Sequence, residues 1–139
     1  MSVKKPVHVL IIDDERSSID VMSSMLESTL HVHVATNAQQ GLAILEQRKI
    51  NIILLDIDLP DISGFDLCKQ IKANPNYTDI PVIFISGYND LVFEIQAYEA
   101  GGVDYLTKPI SPVRMLIRMS VFLNMRLAIP SSKMIRPKI

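Results

Sequence analysis

The sequence predicts an α/β fold: five parallel strands alternating with five helices, wound on both faces of one sheet. Three observations lead there. Short unbroken apolar runs at residues 52–55 (Ile-Ile-Leu-Leu) and 82–85 (Val-Ile-Phe-Ile) suit strands buried on both faces of a parallel sheet. Segments of helical period separate these runs, which is the pattern of βαβ crossovers. Finally, the runs end in chemistry: Asp13-Asp14-Glu15, Asp56, Ser86 and Lys108 each follow an apolar stretch. In an open α/β sheet the carboxyl ends of the strands are where sites form.

Residues 7–12 (Val-His-Val-Leu-Ile-Ile) give the first strand. Residues 17–29 follow with Met22, Met25 and Leu26 on a helical period. His31-Val32-His33-Val34 alternates with period two and reads as a half-exposed edge strand, with both histidines on one face. A metal pair there lacks an apparent third ligand, so solvated edge positions are the expectation. Asn37 caps a helix over 38–47 with Leu42 and Leu45 inward. The third strand ends at Asp56, and Pro60 and Gly64 punctuate the loop before a helix over 65–73, which Asn74-Pro75-Asn76 breaks. Residues 81–86 form the fourth strand. Asn89 or Asp90 caps a helix that runs to Ala100 and stops at Gly101-Gly102. A short strand over 103–106 leads to Thr107-Lys108-Pro109, and the last helix begins at Pro112 and reaches Ala128. A disordered tail or the start of a linker is expected over 129–139.

A chain of 139 residues fits one domain with a proper core. Hydrophobic content of 48% against 21% charged residues is globular. No apolar run approaches the ~20 residues of a membrane span and no signal peptide is visible, so a cytoplasmic location is expected. Cys68 is the single cysteine, which excludes an internal disulfide and reads as a core or boundary residue. Net charge hides an asymmetry: residues 1–104 hold all 15 acids and 7 of the 14 basic residues, and the remainder holds no acid. Such a split can mark an interaction tail. Nucleic-acid binding is not expected, since those basic residues are sparse and mixed with apolar ones.

Asp13, Asp14 and Asp56 fall at strand ends that right-handed crossovers can bring side by side. Clustered carboxylates repel when all are ionised. A hard cation relieves that, and a few carboxylates plus water suit Mg²⁺, which also neutralises phosphoryl oxygens during in-line transfer. Ser86 adds a hydroxyl and Lys108 an ammonium that could hold the remaining phosphoryl oxygens.

With these residues in place the sequence resembles the receiver domain of two-component response regulators. The matching pieces are Ile11-Ile12-Asp13-Asp14-Glu15, Leu54-Leu55-Asp56-Ile57-Asp58-Leu59-Pro60 with Gly64, Ile83-Phe84-Ile85-Ser86-Gly87, and the run from Ala100 to Pro109. Spacings agree as well, 30 residues from Asp56 to Ser86 and 22 from Ser86 to Lys108. The resemblance implies a flavodoxin-like sheet in order 2-1-3-4-5, with a receiver domain over 1–128. It implies that Asp56 accepts the phosphoryl group and that Asp14, Asp56 and the Asp58 carbonyl hold Mg²⁺, with Asp13 acting through water. Ser86 and Lys108 would contact the phosphoryl group, and Tyr105 would be the switch aromatic turning with Ser86. A cis Lys108-Pro109 peptide is also implied. Asp58 and Tyr88 occupy positions that tune hydrolysis of the acyl phosphate.

The implied donor is a histidine kinase or phosphotransfer protein. The implied response is a change in the face formed by the fourth helix, fifth strand and fifth helix, toward a homodimer mate or an output domain. The run from Lys108 and the long last helix also look like receivers joined to cyclic di-GMP synthesising or degrading domains. Two other readings fit some of the same residues. Asp56-Ile57-Asp58 copies the nucleophile motif of haloacid-dehalogenase-type phosphatases, but the acidic pair precedes it and the chain is short. An unphosphorylated receiver-like module has no missing catalytic residue to support it. In the last helix, Val113, Leu116, Ile117, Ser120, Leu123, Asn124 and Leu127 are expected against the sheet. Met115, Met119, Phe122 and Met125 are expected outward among Arg114, Arg118 and Arg126, awaiting a partner.

Overall fold

The computed structural model describes residues 6–124. Strands and helices alternate throughout: β1 (His8–Ile12), α1 (Arg16–Leu26), β2 (His31–Ala35), α2 (Ala38–Gln47), β3 (Ile52–Asp56), α3 (Gly64–Ala73), β4 (Val82–Ser86), α4 (Leu91–Glu99), β5 (Asp104–Thr107) and α5 (Pro112–Leu123). The strands form one sheet in order β2-β1-β3-β4-β5, every neighbouring pair parallel. β3 is central and buried at every position, which is why its sequence is continuously apolar rather than alternating.

Alternate residues of each strand feed two cores. Leu10, Ile12, Ile53, Leu55 and Phe84 pack with Leu45, Leu67, Ile71 and Ala97 of α2, α3 and α4. Val9, Ile11, Ile52, Leu54 and Ile85 pack with Ile19, Met22, Met115 and Met119 of α1 and α5. Local signals set the helix starts. The Asn37 and Ser63 side chains accept from the third backbone N–H of α2 and α3. Asp90 sits at the N-cap of α4, but its side chain makes no capping bond.

The expectation for the last helix holds for Leu116 and Leu123, which pack on the core, and fails for Met115, Met119, Phe122 and Ile117. Met115 and Met119 are fully buried, and Phe122 packs on the core. Ile117 is 43% exposed and Val121 67%. The helix is therefore rotated from the expected face: flexible methionines fill the irregular space over the sheet and two β-branched residues face outward. α5 closes at Asn124, in the left-handed conformation at φ 50°. The expectations for Met125, Arg126, Leu127, Ala128 and the tail over 129–139 lie outside the described residues.

Candidate phosphoryl-transfer site

Parallel strands deliver their last residues to one edge, and β1, β3, β4 and β5 bring Asp13, Asp56, Ser86 and Lys108 there. Ligand atoms of Asp13, Asp14 and Asp56 lie within 4.8 Å of one another, and among the described residues theirs is the one such carboxylate, histidine or cysteine triplet. Asp13 and Asp56 are buried and Asp14 is exposed, so the cluster opens to solvent on one side. The Lys108 ammonium enters from β5. It is 2.9 Å from Asp13 Oδ2 as an ion pair, donates to Asp56 Oδ2 at 3.2 Å, and is 3.9 Å from Glu15. From sequence Glu15 belongs to the acidic run after β1 without a role of its own. It is tied in by its backbone N–H to Asp13 Oδ1 and by the hydroxyls of Ser17 and Ser18.

Electrostatics follow from this crowding. Burial raises the Asp56 carboxyl to about 7, and repulsion from Asp13 adds to it while Lys108 opposes it. Burial works to lower the Lys108 ammonium, but its contacts with Asp13 and Asp56 outweigh that and raise it. The site thus holds one cation against two buried carboxylates, a chemistry that suits a further hard cation. The donor set fits Mg²⁺: all oxygen, mostly carboxylate, with one side open for water.

Backbone geometry around Asp56 depends on one glycine. A Cβ on Gly64 would lie 2.2 Å from the Asp56 carbonyl oxygen. The Gly64 N–H also donates to the Ile57 carbonyl at 2.7 Å. Only a residue without a side chain lets α3 start this close to the end of β3. The loop between them is held from the far side by Asp61, whose carboxylate accepts the N–H groups of Ala38 and Gln39 at 2.9 and 3.0 Å.

Ser86 is fully buried and its hydroxyl accepts the Tyr88 N–H at 3.0 Å. Its carbonyl accepts the Lys108 N–H at 2.7 Å. The Tyr105 hydroxyl donates to the Tyr88 carbonyl. Ser86, Tyr88, Tyr105 and Lys108 therefore form one bonded unit across β4 and β5. Tyr88 stacks on Phe93, with centroids 4.2 Å apart, and its hydroxyl faces the Asp58 carboxylate, which raises its pKa. Asp14, Glu15, Asp56, Asp58, Tyr88 and Lys108 line a pocket of about 370 Å³. Asp58 lines this pocket, but its carboxylate is not part of the three-carboxylate group. The Lys108-Pro109 peptide is cis, as expected.

Comparison with known proteins gives a consistent result. The response regulator receiver domain family matches residues 9–120. The chain is 40% identical over 103 residues to a probable cyclic di-GMP phosphodiesterase of Vibrio cholerae, covering 74% of this chain and 23% of that protein. It is 35% identical to the phosphate regulon transcriptional regulatory protein PhoB of Pseudomonas aeruginosa, covering 84% of this chain and 51% of PhoB. The chain thus spans from about a quarter to half the length of these relatives. Among solved structures, the CheY-like receiver domain protein from Methanospirillum hungatei superposes with a TM-score of 0.79 at 29% identity, over 86% of this chain and 95% of that one. The BeF₃-activated DrrB receiver domain gives 0.79 at 26%, over 87% and 100%. The match leaves a dehalogenase-type phosphatase without support.

Proposed function

Because this chain belongs to the response-regulator receiver family, a module of two-component signalling, we propose that it accepts one phosphoryl group on Asp56 from a histidine kinase or phosphotransfer protein. The observation that carries this is the placement of Asp56 at the end of the central strand, in contact with Lys108 and within reach of Asp13 and Asp14. Asp13, Asp14 and Asp56, with the Asp58 carbonyl, would hold Mg²⁺, which when bound neutralises phosphoryl oxygens. An Asp56 carboxylate oxygen attacks phosphorus, the donor's bond to phosphorus breaks, and the Lys108 ammonium offsets the charge that arrives. The Ser86 hydroxyl, at the end of the neighbouring strand, is the group that answers the new oxygens.

The same bonding suggests how the signal leaves. If Ser86 Oγ turns to the phosphoryl group it gives up the Tyr88 N–H, and the Tyr88 carbonyl that Tyr105 holds shifts with it. Those moves reach α4, β5 and α5. α4 is apolar around most of its circumference, with Leu91 68% and Val92 64% exposed and Ile95 and Tyr98 also outward. A partner, either an output domain or a second copy, covers that face. Tyr88 and Asp58 stand over the pocket and set how readily water reaches the acyl phosphate.

Residues 1–128 act as the receiver and 129–139 as a tail or the start of a linker, in the cytoplasm, where the kinase and Mg²⁺ are available. Similarity to the Vibrio phosphodiesterase supports an output in cyclic di-GMP turnover. No helix among the described residues is long and apolar enough to cross a membrane.

Mg²⁺ with acetyl phosphate tests the assignment. The chain should gain one phosphoryl group by mass, and Asp56→Asn should gain none while keeping its fold. Full labelling of that variant would move the acceptor to Asp58 or Asp61. Ile95→Glu should leave labelling intact and weaken the phosphorylation-dependent partner contact, read by a dilution series or by activity of the full-length protein.

A further inference from the structure

Two openings meet at the mouth of the phosphoryl-transfer site. Beside the pocket over Asp56 lies a groove of about 440 Å³, lined by Ser17, Ser18 and Val21 of α1 and by Pro109 and Ile110 after β5. Glu15, Gly87 and Lys108 line both the groove and the pocket, so the two adjoin at these residues. Gly87 leaves the junction open, since a Cβ there would meet nothing within 4 Å. Glu15 and Lys108 bring a carboxylate and an ammonium to it, 3.9 Å apart.

The Glu15 carboxylate is held in place. Its Oε1 accepts the Ser18 hydroxyl at 2.7 Å and the Ser17 hydroxyl at 3.1 Å, and its Oε2 is the atom nearest Lys108. Its side chain is 56% exposed, so it is an anion at neutral pH. The other acids of the pocket are engaged elsewhere. Asp14 and Asp56 belong with Asp13 to the triplet that suits Mg²⁺, and the Asp58 carboxylate faces the Tyr88 hydroxyl. Glu15 lies outside that triplet and is the pocket acid that also lines the groove.

We propose that Glu15 is a specificity-determining residue for the phosphodonor, a fixed negative charge at the entrance that disfavours small anionic donors. The proposal rests on Asp56 being the acceptor. A free acyl phosphate arrives as a dianion with nothing to satisfy Glu15, and the repulsion scales with the product of the charges. Glu15 also offsets part of the field of Lys108, the side chain that would draw phosphoryl oxygens in. Both effects slow the same class of donor. A protein donor carries surface around its phosphoryl group, and a lysine, arginine or hydroxyl placed opposite Glu15 turns the repulsion into attraction. The switch is thereby insulated from free acyl phosphates while it stays open to a partner of complementary charge.

Initial rates of phosphorylation of the full chain, followed by intact mass with Mg²⁺ at pH 7, test this. The donors are acetyl phosphate, a dianion, and phosphoramidate, which is singly charged. Glu15→Gln should raise the acetyl phosphate rate by about threefold to tenfold, and the phosphoramidate rate by about the square root of that factor. Glu15→Lys should raise the acetyl phosphate rate further. Each gain should shrink as KCl is added. Glu27→Gln removes the same charge from the far end of α1 and should change neither rate. No gain, equal gains with both donors, or gains indifferent to salt would overturn the role of Glu15 and leave Asp56 as the acceptor. Failure of both donors to label Asp56 in the unmodified chain would overturn the acceptor assignment, and the role of Glu15 with it.

Discussion

The two ends of one parallel sheet carry titratable clusters that respond to pH in opposite senses. At the carboxyl end, burial and Asp13 hold Asp56 near 7, well above its ordinary 3.8. The folded state there keeps a proton the unfolded chain has released, so its contribution to stability is lost as pH rises from about 4 to about 7. At the amino end, His8 and His33 are held below 6.5, first by burial and then by neighbouring positive charge. The folded state there refuses a proton the unfolded chain accepts, so stability is lost as pH falls through 6.5. One end is short of positive charge and the other has enough. The first suits a hard cation and phosphate; the second turns further positive charge away.

The largest expected effect tests how tightly the carboxyl end is built. Gly64→Ala places a methyl against the Asp56 carbonyl and should cost about 1–3 kcal/mol in urea unfolding, with weaker labelling by acetyl phosphate. His31→Ala, on the exposed edge, should change stability by less than about 0.5 kcal/mol. Equal costs would erase the contrast between the ends. Asp56→Asn comes next. In chelator at pH 8 it should stabilise the domain by on the order of 2 kcal/mol and flatten the decline between pH 4 and 7. An unchanged slope would mean that Asp56 titrates normally. Lys108→Ala removes the ammonium that holds Asp56 down, so the carboxyl titration followed by carbon NMR should move above about 7. That variant should still accept phosphate while Tyr105 signals lose their response to it. The smallest effect is at the amino end: His33→Asn should remove part of the acid destabilisation below pH 6.5, seen as a shallower fall in unfolding midpoint from pH 7 to 5.

The difference also explains what could be read from sequence. Sheet order and the carboxyl-end cluster were legible because Asp13, Asp56 and Ser86 directly follow apolar runs and Lys108 follows the short fifth strand, and parallel strands send such residues to one edge. The histidine cluster was half legible. His31 and His33 stood out by alternation, but His8 sits inside an apolar strand and joins them only once β1 and β2 are placed in register. α5 was misread because apolarity does not choose between two stripes about a quarter-turn apart. Ile and Val are more hydrophobic than Met, yet unbranched Met115 and Met119 fill the space above Leu54 and Ile85, leaving Ile117 and Val121 outside. Ser63 as a cap and Gly64 as a close-approach residue needed the loop's path in space.

Asp61 gives the switch a direction. By receiving two N–H groups at the start of α2, it moors the loop after Asp56 to a helix on the same face of the sheet as α3 and α4. The loop after Ser86 is moored by a contact that the switch itself gives up, the Ser86 hydroxyl on Tyr88, and by that residue's carbonyl link to Tyr105. Charge added between a stiff wall and a compliant one displaces the compliant one. Work done by phosphorylation is therefore channelled toward α4 and β5, and cutting the mooring with Asp61→Ala should let the same event leak toward α2.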